Sequence, residues 1–522
     1  MTPSPEPLHP GAFVSGSEDP PLSWSAVVGL VAFVTYLALA PRTVGDGDAG
    51  EFTLVLAVAG VAHPPGYPLY TMLGHLWAGL LHAAGTSWAR AASSWSALGG
   101  AIAVASMHAV AARLVPGSTV LGHRGRALVA LVPCMVFALH PAWTRETTIA
   151  EVNDWHLALV ALLVLATHRL LARLETGTPP TRWAAFGWGV LCGVALGHHL
   201  TAVFVVVPLA VALAVSSRRA GGRGPDALAA ALGCVLALSP GLWIAWRAWH
   251  PAPYQWPLLE PRWASVLAHL HGGIYVNYLG AFSPSPAQRT MLVNQVLPWL
   301  LAGTGAMAVA AWRLDSTADR VLLRAALAAS VLGVAFTFAY GVLEPVVYAM
   351  PSLMLALLGL AVAGGWLAER LRRPIAAVPV ALALLAIAWM WCGDARARAR
   401  RLEASDEALH ARWRALPIEH GIVLWDTDYH VRLLAWQLLD GEHPAVDVVD
   451  PAMLTWDPPR RAFLRRFGFD PLAGLELRSV DQLPLIGPNI ARQTGLPVID
   501  FERWRTAGTG AVGGQDRAPT GR

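Results

Sequence analysis

Apolar residues in this chain occur in long, nearly uninterrupted runs, and most charged residues lie between the runs. A run of about 20 apolar residues can cross the roughly 30 Å hydrocarbon core of a bilayer as a helix. Runs near this length lie at residues 24–40, 68–84, 94–112, 127–140, 154–171, 183–197, 199–215, 227–246, 291–311, 325–343, 347–367 and 375–392. The pattern therefore predicts a protein built mainly of membrane helices.

Clusters of arginine between the runs indicate which side of the membrane each loop occupies, because basic residues concentrate at the cytoplasmic ends of membrane helices. The clusters are Arg113/Arg124/Arg126, Arg169/Arg173/Arg182, Arg218/Arg219/Arg223, Arg313/Arg320/Arg324 and Arg370/Arg372/Arg373. Two apolar runs separate each cluster from the next. The intervening loops, at residues 141–153, 198–200, 247–290 and 344–346, are therefore predicted to lie on the opposite, outer side.

The run at 68–84 does not fit this alternation as a full span. It follows His63-Pro64-Pro65-Gly66-Tyr67-Pro68, whose prolines prevent a continuous helix there. We interpret residues 41–93 as one large outer loop with helices on the membrane surface. Eleven spans remain, with the N-terminus in the cytoplasm and the C-terminus outside. The arginines at 396, 398, 400 and 401 follow the last span closely and oppose this orientation.

A second unit follows the last apolar run, where the composition becomes charged and mixed. The apolar segments 421–425 and 445–449 flank a helical pattern that ends at Asp440, which predicts a β-α-β unit. The predicted organisation is an N-terminal cytoplasmic segment (1–23), a transmembrane domain (24–392), an outer-face α/β domain (393–506) and a disordered tail (507–522).

Charged residues make up 14% of the chain, against roughly 25% in an average soluble domain, so lipid must cover much of the surface. All 38 basic residues are arginine, and the net charge of +4 is explained by membrane topology, so nucleic acid is not a predicted partner. The four cysteines lie inside apolar runs, where a thiol behaves as a small apolar group. A disulfide framework is not expected.

The first outer loop contains three acids within six residues, Asp46, Asp48 and Glu51. One of them could serve as a general base whose pKa is tuned by burial and by its neighbours. The same acids could instead cap the following helix. They could also bind a divalent cation through their oxygens, although no metal is predicted. The acids alone do not choose among these roles.

Polar residues in the other predicted outer loops are expected to face the same cavity as these acids, because ionisable groups at membrane depth are costly and usually mark sites. The alternative is that loops are simply where polar residues lie. The residues concerned are His63, Arg145, Glu146, Glu151, Asp154, His198, His199, the Tyr- and Trp-rich segment 254–278, and Glu344.

Several of these motifs resemble one family of integral-membrane enzymes. The motifs are Asp48-Ala49-Gly50-Glu51-Phe52, His63-Pro64-Pro65-Gly66-Tyr67-Pro68-Leu69-Tyr70, Glu151-Val152 after Trp143, and Gly197-His198-His199-Leu200-Thr201. Their arrangement resembles the group that includes the animal transmembrane O-mannosyltransferase acting on plexin-type receptors, in the GT-C superfamily. The sequence departs from that family at Ala49, where serine is frequent, and at Asn153, where an aromatic residue is frequent.

The resemblance implies a GT-C-like fold and transfer of a sugar from a polyprenyl-phosphate donor, with an outer-loop acid as base. Asp48 is the first candidate for that base, Glu51 the second and Asp46 the third. Inversion at the anomeric carbon without a covalent intermediate is expected. The donor phosphate needs cationic or N–H partners. Candidate substrate-binding residues are His63, Pro64, Tyr67, Arg145, Glu151, His198 and His199.

Five tryptophans, at positions 243, 246, 249, 256 and 263, could stack on sugar faces, but an interfacial belt explains them more simply. They receive no predicted site role.

The leading hypothesis is a multi-pass membrane glycosyltransferase with its active site on the outer face and no cofactor. It would move a sugar such as mannose from the lipid-linked donor to a protein hydroxyl or another outer-face acceptor, including a glycolipid. A transporter or flippase of a lipid-linked sugar is the main alternative. Alternating access needs polar groups reaching both sides of the membrane, whereas this chain concentrates its acids outside. A non-catalytic scaffold is a third hypothesis, under which the acids of the first loop are replaceable.

Overall fold

The computed structural model describes residues 22–45, 47–116, 122–221, 224–256, 259–342, 344–371, 378–425, 427–477 and 479–507. Asp46, nearly all of the predicted N-terminal segment and residues 508–522 of the predicted tail lie outside the described residues. The predictions made for them stay predictions.

The helices of the N-terminal half begin with α1 and end with α11. Their bounds are α1 (Leu22–Leu39), α2 (Ala49–Val58), α3 (Pro68–Ala83), α4 (Trp88–Leu114), α5 (Gly122–Leu139), α6 (Pro141–Glu146), α7 (Asn153–Glu175), α8 (Arg182–His198), α9 (Val203–Arg219), α10 (Gly224–Leu236) and α11 (Gly241–Trp249).

The C-terminal half continues with α12 to α17 and then alternates helices with three strands. The bounds are α12 (Trp263–Leu270), α13 (Pro286–Met291), α14 (Leu297–Arg313), α15 (Thr317–Ala339), α16 (Val346–Leu371), α17 (Val378–Arg414), β1 (Gly421–Leu424), α18 (Thr427–Asp440), β2 (Val446–Val449), α19 (Asp457–Phe467), α20 (Ile486–Thr494), β3 (Val498–Asp500) and α21 (Phe501–Ala507).

Within the described ranges, nine helical segments are long and apolar enough to cross a membrane. The 17-residue α8 and the beginning of α17 lie at the positions of the other two predicted spans, which stay predictions. The chain is therefore a polytopic all-α membrane protein. The predicted span at 227–246 is interrupted by a turn between α10 and α11, where Pro240 has no N–H to continue the helical ladder.

Small residues allow the membrane helices to approach closely. A Cβ atom added at Gly189 of α8 would lie 1.9 Å from the carbonyl oxygen of Ala230 in α10. A Cβ atom at Gly303 of α14 would lie 2.5 Å from the carbonyl oxygen of Ala356 in α16. Such contacts are typical of membrane helices, which gain their association energy from close packing because lipid supplies no hydrophobic driving force.

Helices α2 and α3 correspond to the predicted surface helices of the first loop. At 10 and 16 residues, both are shorter than the span of a bilayer. All residues of α2 except its last are buried, because α3, α4 and α18 pack around it. The N-terminal end of α2, which carries Asp48 and Glu51, is thereby held in a fixed position.

The predicted β-α-β unit is present. Strands β1 and β2 pair in parallel, with Gly421 opposite Val446 and Leu424 opposite Val449, and α18 connects them. Strand β3, which was not predicted, adds to the other side of β1, so the strand order is β2-β1-β3. Helix α17 runs across residue 393, the predicted domain boundary, without a break.

The C-terminal domain rests on α2 and on the loop that follows α11. Helix α18 packs along α2, where the side chain of Arg432 lies 3.7 Å from the position that a Cβ on Gly50 would take. Arg461 of α19 donates two hydrogen bonds to Glu260, at 3.0 and 3.4 Å. The domain therefore covers the end of the helix bundle that carries the first-loop acids.

Candidate functional site

A cavity of about 210 Å³ lies where the first loop, the segment after α11 and the C-terminal domain meet. Its walls include Asp48, Glu51 and His63 from the first loop, Tyr254, Trp256 and Tyr275 from the second segment, and His430, Asp450 and Met453 from the C-terminal domain. Three regions distant in sequence therefore build one site. The predicted convergence of the first-loop acids with the 254–278 segment is what the structure shows.

Glu51 is buried and engaged by its neighbours. Its carboxylate accepts hydrogen bonds from the backbone N–H of His63 at 2.8 Å and from the Nδ1 of His63 at 2.7 Å. The Tyr254 hydroxyl donates a third, longer bond at 3.4 Å. Glu51 thus fixes the position and tautomer of the imidazole, with the Nε2 atom of His63 directed away from the carboxylate.

Asp48 has a different environment, although it lies only three residues earlier. Its side chain is exposed to the cavity, and its carboxylate accepts no hydrogen bond from the described part of the chain, including the N–H groups of α2 that it precedes. The helix-capping role considered for this residue is therefore absent. Burial within the surrounding protein raises the pKa of the Asp48 carboxyl, a charged His63 lowers it, and Glu51 raises it further.

The turn at residues 63–68 has a backbone that its sequence dictates. Gly66 has φ +88°, and a Cβ atom there would lie 2.8 Å from Ile244 and 2.9 Å from the ring of His269. Tyr67 also has a positive φ of 44°, and its hydroxyl lies 3.3 Å from the Nε2 of His63. Pro64 is buried beneath the turn. The turn brings imidazole and phenol together at the cavity.

The two predicted histidines of the third loop have separate roles. The Nε2 of His198 lies 2.9 Å from the carbonyl oxygen of Val152, so His198 joins α8 to the segment before α7. His199 follows the end of α8, contacts the hydroxyl of Thr201 at 2.7 Å and stacks on His156. Both imidazoles lie within 6.5 Å of the ring of Tyr67, at 5.8 and 6.4 Å between centroids. They support the turn from behind and do not line the cavity.

The second loop contributes an ion pair and two buried acids. Arg145 donates to Glu344 at 2.8 Å, which joins the second and fifth predicted outer loops. The side-chain amide of Asn153 donates to Glu146 at 2.9 Å and to Glu151 at 3.3 Å. The departure from the family pattern at position 153 therefore places an amide between two carboxylates.

Burial raises the pKa of Glu146 to about 7, against a lowering by Arg145. Burial also raises the pKa of Glu151 well above its usual range, and the charges of Glu146 and Asp48 raise it further. Glu151 is buried and bonded to Asn153, so the structure places it behind the cavity and not on its wall.

One wall of the cavity is aromatic and consists of Tyr254, Trp256 and Tyr275. The sequence analysis gave Trp256 no site role, yet it lines the cavity. It does so because the chain around it pairs with the first loop, where the backbone N–H of Trp256 donates to the carbonyl oxygen of Val61 at 2.8 Å. Tyr275 lines the cavity as well, and burial raises its pKa so that the hydroxyl stays protonated and can donate. By contrast, Trp246, Trp249 and Trp263 are exposed, as an interfacial belt requires.

The carboxylates of Asp48 and Glu51 and the imidazole of His63 could also hold a metal ion. One ligand atom from each lies within 4.8 Å of the other two. Two oxygens and one nitrogen suit several divalent cations. In the present arrangement Glu51 and His63 bind each other, which uses the same atoms that a metal would take.

Comparison with known proteins finds similarity in the part of the chain that carries the first-loop residues of the site. A family model described as the TMEM260 protein O-mannosyl-transferase N-terminal domain matches residues 48–221. The protein O-mannosyl-transferase tmem260 of Dictyostelium discoideum is 27% identical over 184 residues, which is 34% of this chain and 21% of that protein. The TMEM260 protein of Mus musculus is 51% identical over 51 residues, 10% of this chain and 7% of that protein. The chain thus spans about a fifth of the first relative's length and less than a tenth of the second's.

The similarity in fold extends further along the chain than the similarity in sequence. The crystal structure of ArnT from Cupriavidus metallidurans bound to undecaprenyl phosphate aligns with 88% of this chain and 96% of its own, at a TM-score of 0.53 and 12% identity. This likeness concerns the fold. The chain therefore has a GT-C-like fold, and the resemblance of its first loops to the TMEM260 protein O-mannosyl-transferase group is confirmed over residues 48–221.

Proposed function

We propose that this protein is a membrane glycosyltransferase that moves a sugar such as mannose from a polyprenyl-phosphate donor to a hydroxyl of a protein or another acceptor. One observation carries the proposal: Asp48 presents a carboxylate to the cavity with no hydrogen bond from the described residues, beside a Glu51 that is bound to His63. An acid held in this way can accept a proton, whereas its neighbour is occupied.

In the proposed reaction Asp48 accepts the proton of the acceptor hydroxyl as its oxygen attacks the anomeric carbon. The new C–O bond forms as the bond from that carbon to the phosphate oxygen breaks, and the phosphate leaves with the electron pair. Attack opposite the leaving group inverts the anomeric centre. General-base assistance of this kind contributes on the order of 10²–10⁴-fold to the rate.

The leaving phosphate needs positive charge or N–H and O–H donors. Tyr275 lines the cavity and can donate to the phosphate from its hydroxyl, and His63 can donate from Nε2 when its imidazole is charged. Arg145 is half-buried and paired with Glu344 at 2.8 Å; the charge of Glu344 raises the pKa of Asp48 and the charge of Arg145 lowers it. We assign these three residues to the phosphate side, and Tyr254 and Trp256 to the sugar, since aromatic faces pack well against sugar rings.

Two findings support a polyprenyl-phosphate donor. The site lies at one end of a bundle of membrane helices, where the phosphate of a bilayer-anchored lipid would also lie. ArnT, which shares the fold, was crystallised with undecaprenyl phosphate. We extend that class of lipid to this chain, with the cavity on the outer face of the membrane.

The proposal is tested with the purified full-length protein in nanodiscs, supplied with radiolabelled polyprenyl-phosphate mannose and a serine- and threonine-containing peptide. We expect label to move to the peptide. We also expect Asp48→Asn to reduce that rate by about 10²–10⁴-fold with an unchanged melting temperature. Asp481→Asn, an exposed acid of the C-terminal domain, is the matched control and should keep full activity.

Two outcomes contradict the proposal. Full transfer by Asp48→Asn would remove Asp48 from the mechanism. Movement of intact labelled lipid across the bilayer without transfer to any acceptor would favour the transporter hypothesis.

A further inference from the structure

A second cavity, of about 520 Å³, lies on the opposite face of α2 from the first. Residues 42–44, directly after α1, and residues 87–89, at the start of α4, form one side of it. The end of α17 and one face of α18 form the other side, with Thr53 of α2 between them. Because α1 and α4 are packed membrane helices, the cavity adjoins the membrane boundary.

This cavity contains two buried oxygen atoms that accept no hydrogen bond within the described structure. Thr53 is 1% exposed and Asp406 is 6% exposed. Neither Thr53 Oγ1 nor Asp406 Oδ1 makes a hydrogen bond within the described structure. Arg432 forms an ion pair with Asp406, with its Nη1 atom 3.7 Å from Oδ1, which is longer than a hydrogen bond. A buried oxygen that accepts no hydrogen bond is costly, so a ligand that donates to these two oxygens is favoured.

The charges in the cavity follow an order. Arg42 lines the cavity and stands three residues after the end of the membrane helix α1. The carboxylates of Asp406, Glu407 and Asp440 belong to the C-terminal domain, on the far side, where Arg432 is paired with Asp406 and His410 also lines the cavity, so the acids outnumber the positive groups. A ligand that matches this order carries an anion near the membrane and a cation farther out.

We propose that the second cavity binds the headgroup of a phospholipid that carries a primary ammonium, of the phosphoethanolamine type. In such a lipid the phosphate joins the glycerol at the membrane surface and the ammonium lies two carbons farther out, which is the order of Arg42 and the carboxylates. The N–H groups of the ammonium donate to Asp406 Oδ1 and Thr53 Oγ1. A trimethylammonium headgroup has no N–H and leaves both unpaired.

The lipid chains also have a surface to lie on. Helix α1 exposes Val27, Leu30, Val31 and Val34, and α3 exposes Leu76 and Leu80. These apolar side chains face the lipid on the same helices whose ends border the cavity. The proposed ligand is separate from the sugar donor, since α2 stands between the two cavities and its Glu51 and Thr53 face different ones.

Native mass spectrometry of the purified full-length protein tests this proposal. The protein is incubated with vesicles that contain equal amounts of phosphatidylethanolamine, phosphatidylcholine and phosphatidylglycerol with identical acyl chains. We expect phosphatidylethanolamine to be retained about tenfold over phosphatidylcholine, the ratio expected for loss of one charge-assisted hydrogen bond. Equal retention of the two, or stronger retention of phosphatidylglycerol, would overturn the proposal.

Three variants of cavity residues and one control variant locate the binding. Asp406→Asn and Arg42→Gln should each reduce the preference, while Asp481→Asn should leave it unchanged. Thr53→Val should also reduce the preference. This variant is expected to stay folded, because the hydroxyl that it removes makes no hydrogen bond in the described structure. Preference retained in a folded Thr53→Val and a folded Asp406→Asn would overturn the assignment to this cavity. Displacement of the lipid by an equal concentration of soluble phosphoethanolamine would overturn the role of the acyl chains.

Discussion

Asp48 and Glu51 are chemically similar acids three positions apart, and their surroundings give them different properties. Glu51 is held by two bonds from His63, while Asp48 faces the cavity. The sequence predicted both as candidates with Asp48 first, but no local pattern distinguishes an acid that is bound from one that is available. That distinction depends on the backbone of the turn at His63, which brings an N–H and an imidazole to one carboxylate.

The pH dependence of transfer should reveal which acid is the base. Because burial raises the pKa of Asp48, this residue remains protonated, and unable to accept a proton, at pH values where an ordinary aspartate is already charged. We expect the rate of transfer, measured in single-turnover assays, to increase with pH at values above those at which an ordinary aspartate titrates. The same increase with pH should persist in Glu51→Gln, at a reduced rate. Loss of this pH dependence in Glu51→Gln alone would move the base to Glu51.

Glu146 should make stability depend on pH. Its pKa is about 7 in the folded protein against 4.5 when exposed, so the folded state binds the proton more tightly. The stabilisation is complete below pH 4.5 and is lost as pH rises to about 7, with a magnitude on the order of 3 kcal/mol. Glu146→Gln keeps a neutral group beside Asn153 at every pH. The melting temperature of Glu146→Gln minus that of the wild type should therefore be larger at pH 8 than at pH 5. The same difference at both pH values would refute this account.

At the scale of elements, the turn between α2 and α3 should tolerate no side chain at Gly66. Gly66→Ala adds a Cβ 2.8 Å from Ile244 and 2.9 Å from His269 at a positive φ, with an expected cost of about 3–5 kcal/mol. The matched control is Gly85→Ala, which has the same sign of φ at +93° but no atom within 4 Å, and should cost about 1 kcal/mol. Chemical denaturation measures both. An equal loss of unfolding free energy in both variants would mean that backbone strain, and not the contact with Ile244 and His269, requires glycine at position 66.

The elements differ in how far the sequence predicts them. Long apolar runs predicted the membrane helices, since burial in lipid requires nearly every side chain to be apolar. The same signal could not locate the turn before Gly241, because the residues around it are as apolar as those of a helix. Strand β3 is three residues long and follows β2 by about fifty residues, so its pairing with β1 has no local pattern to predict it.

On the scale of the whole molecule, the predicted topology can be tested with reporter fusions. Fusions after residues 85 and 405 should report the outer face, and fusions at 121 and 221 should report the cytoplasm. The physical reason is the alternation of arginine clusters with pairs of helices. A cytoplasmic signal at 85 together with an outer signal at 121 would mean that α3 crosses the bilayer, against its length of 16 residues.

The candidate site is predictable from the sequence only as far as its short motifs extend. Asp48, Glu51 and His63 lie within 16 positions of the sequence, each in a short motif, and the structure brings them together at the cavity. His430, Asp450 and Met453 complete the same cavity from nearly 400 residues away. His430 lies in α18, and Asp450 and Met453 follow β2. The apolar pattern of this β-α-β unit predicts its core, so no property of these three residues in the sequence points to the first loop.

The docking of the C-terminal domain on α2 has a consequence for the order of events during synthesis. The residues of the first loop emerge from the ribosome about 400 residues before Met453, which is roughly 20–80 s at ordinary rates of translation. During that interval the membrane helices can insert and pack while the cavity still lacks its last wall. A nascent chain therefore lacks the closed cavity, and the proposed substrate would meet the complete set of groups only in the finished molecule.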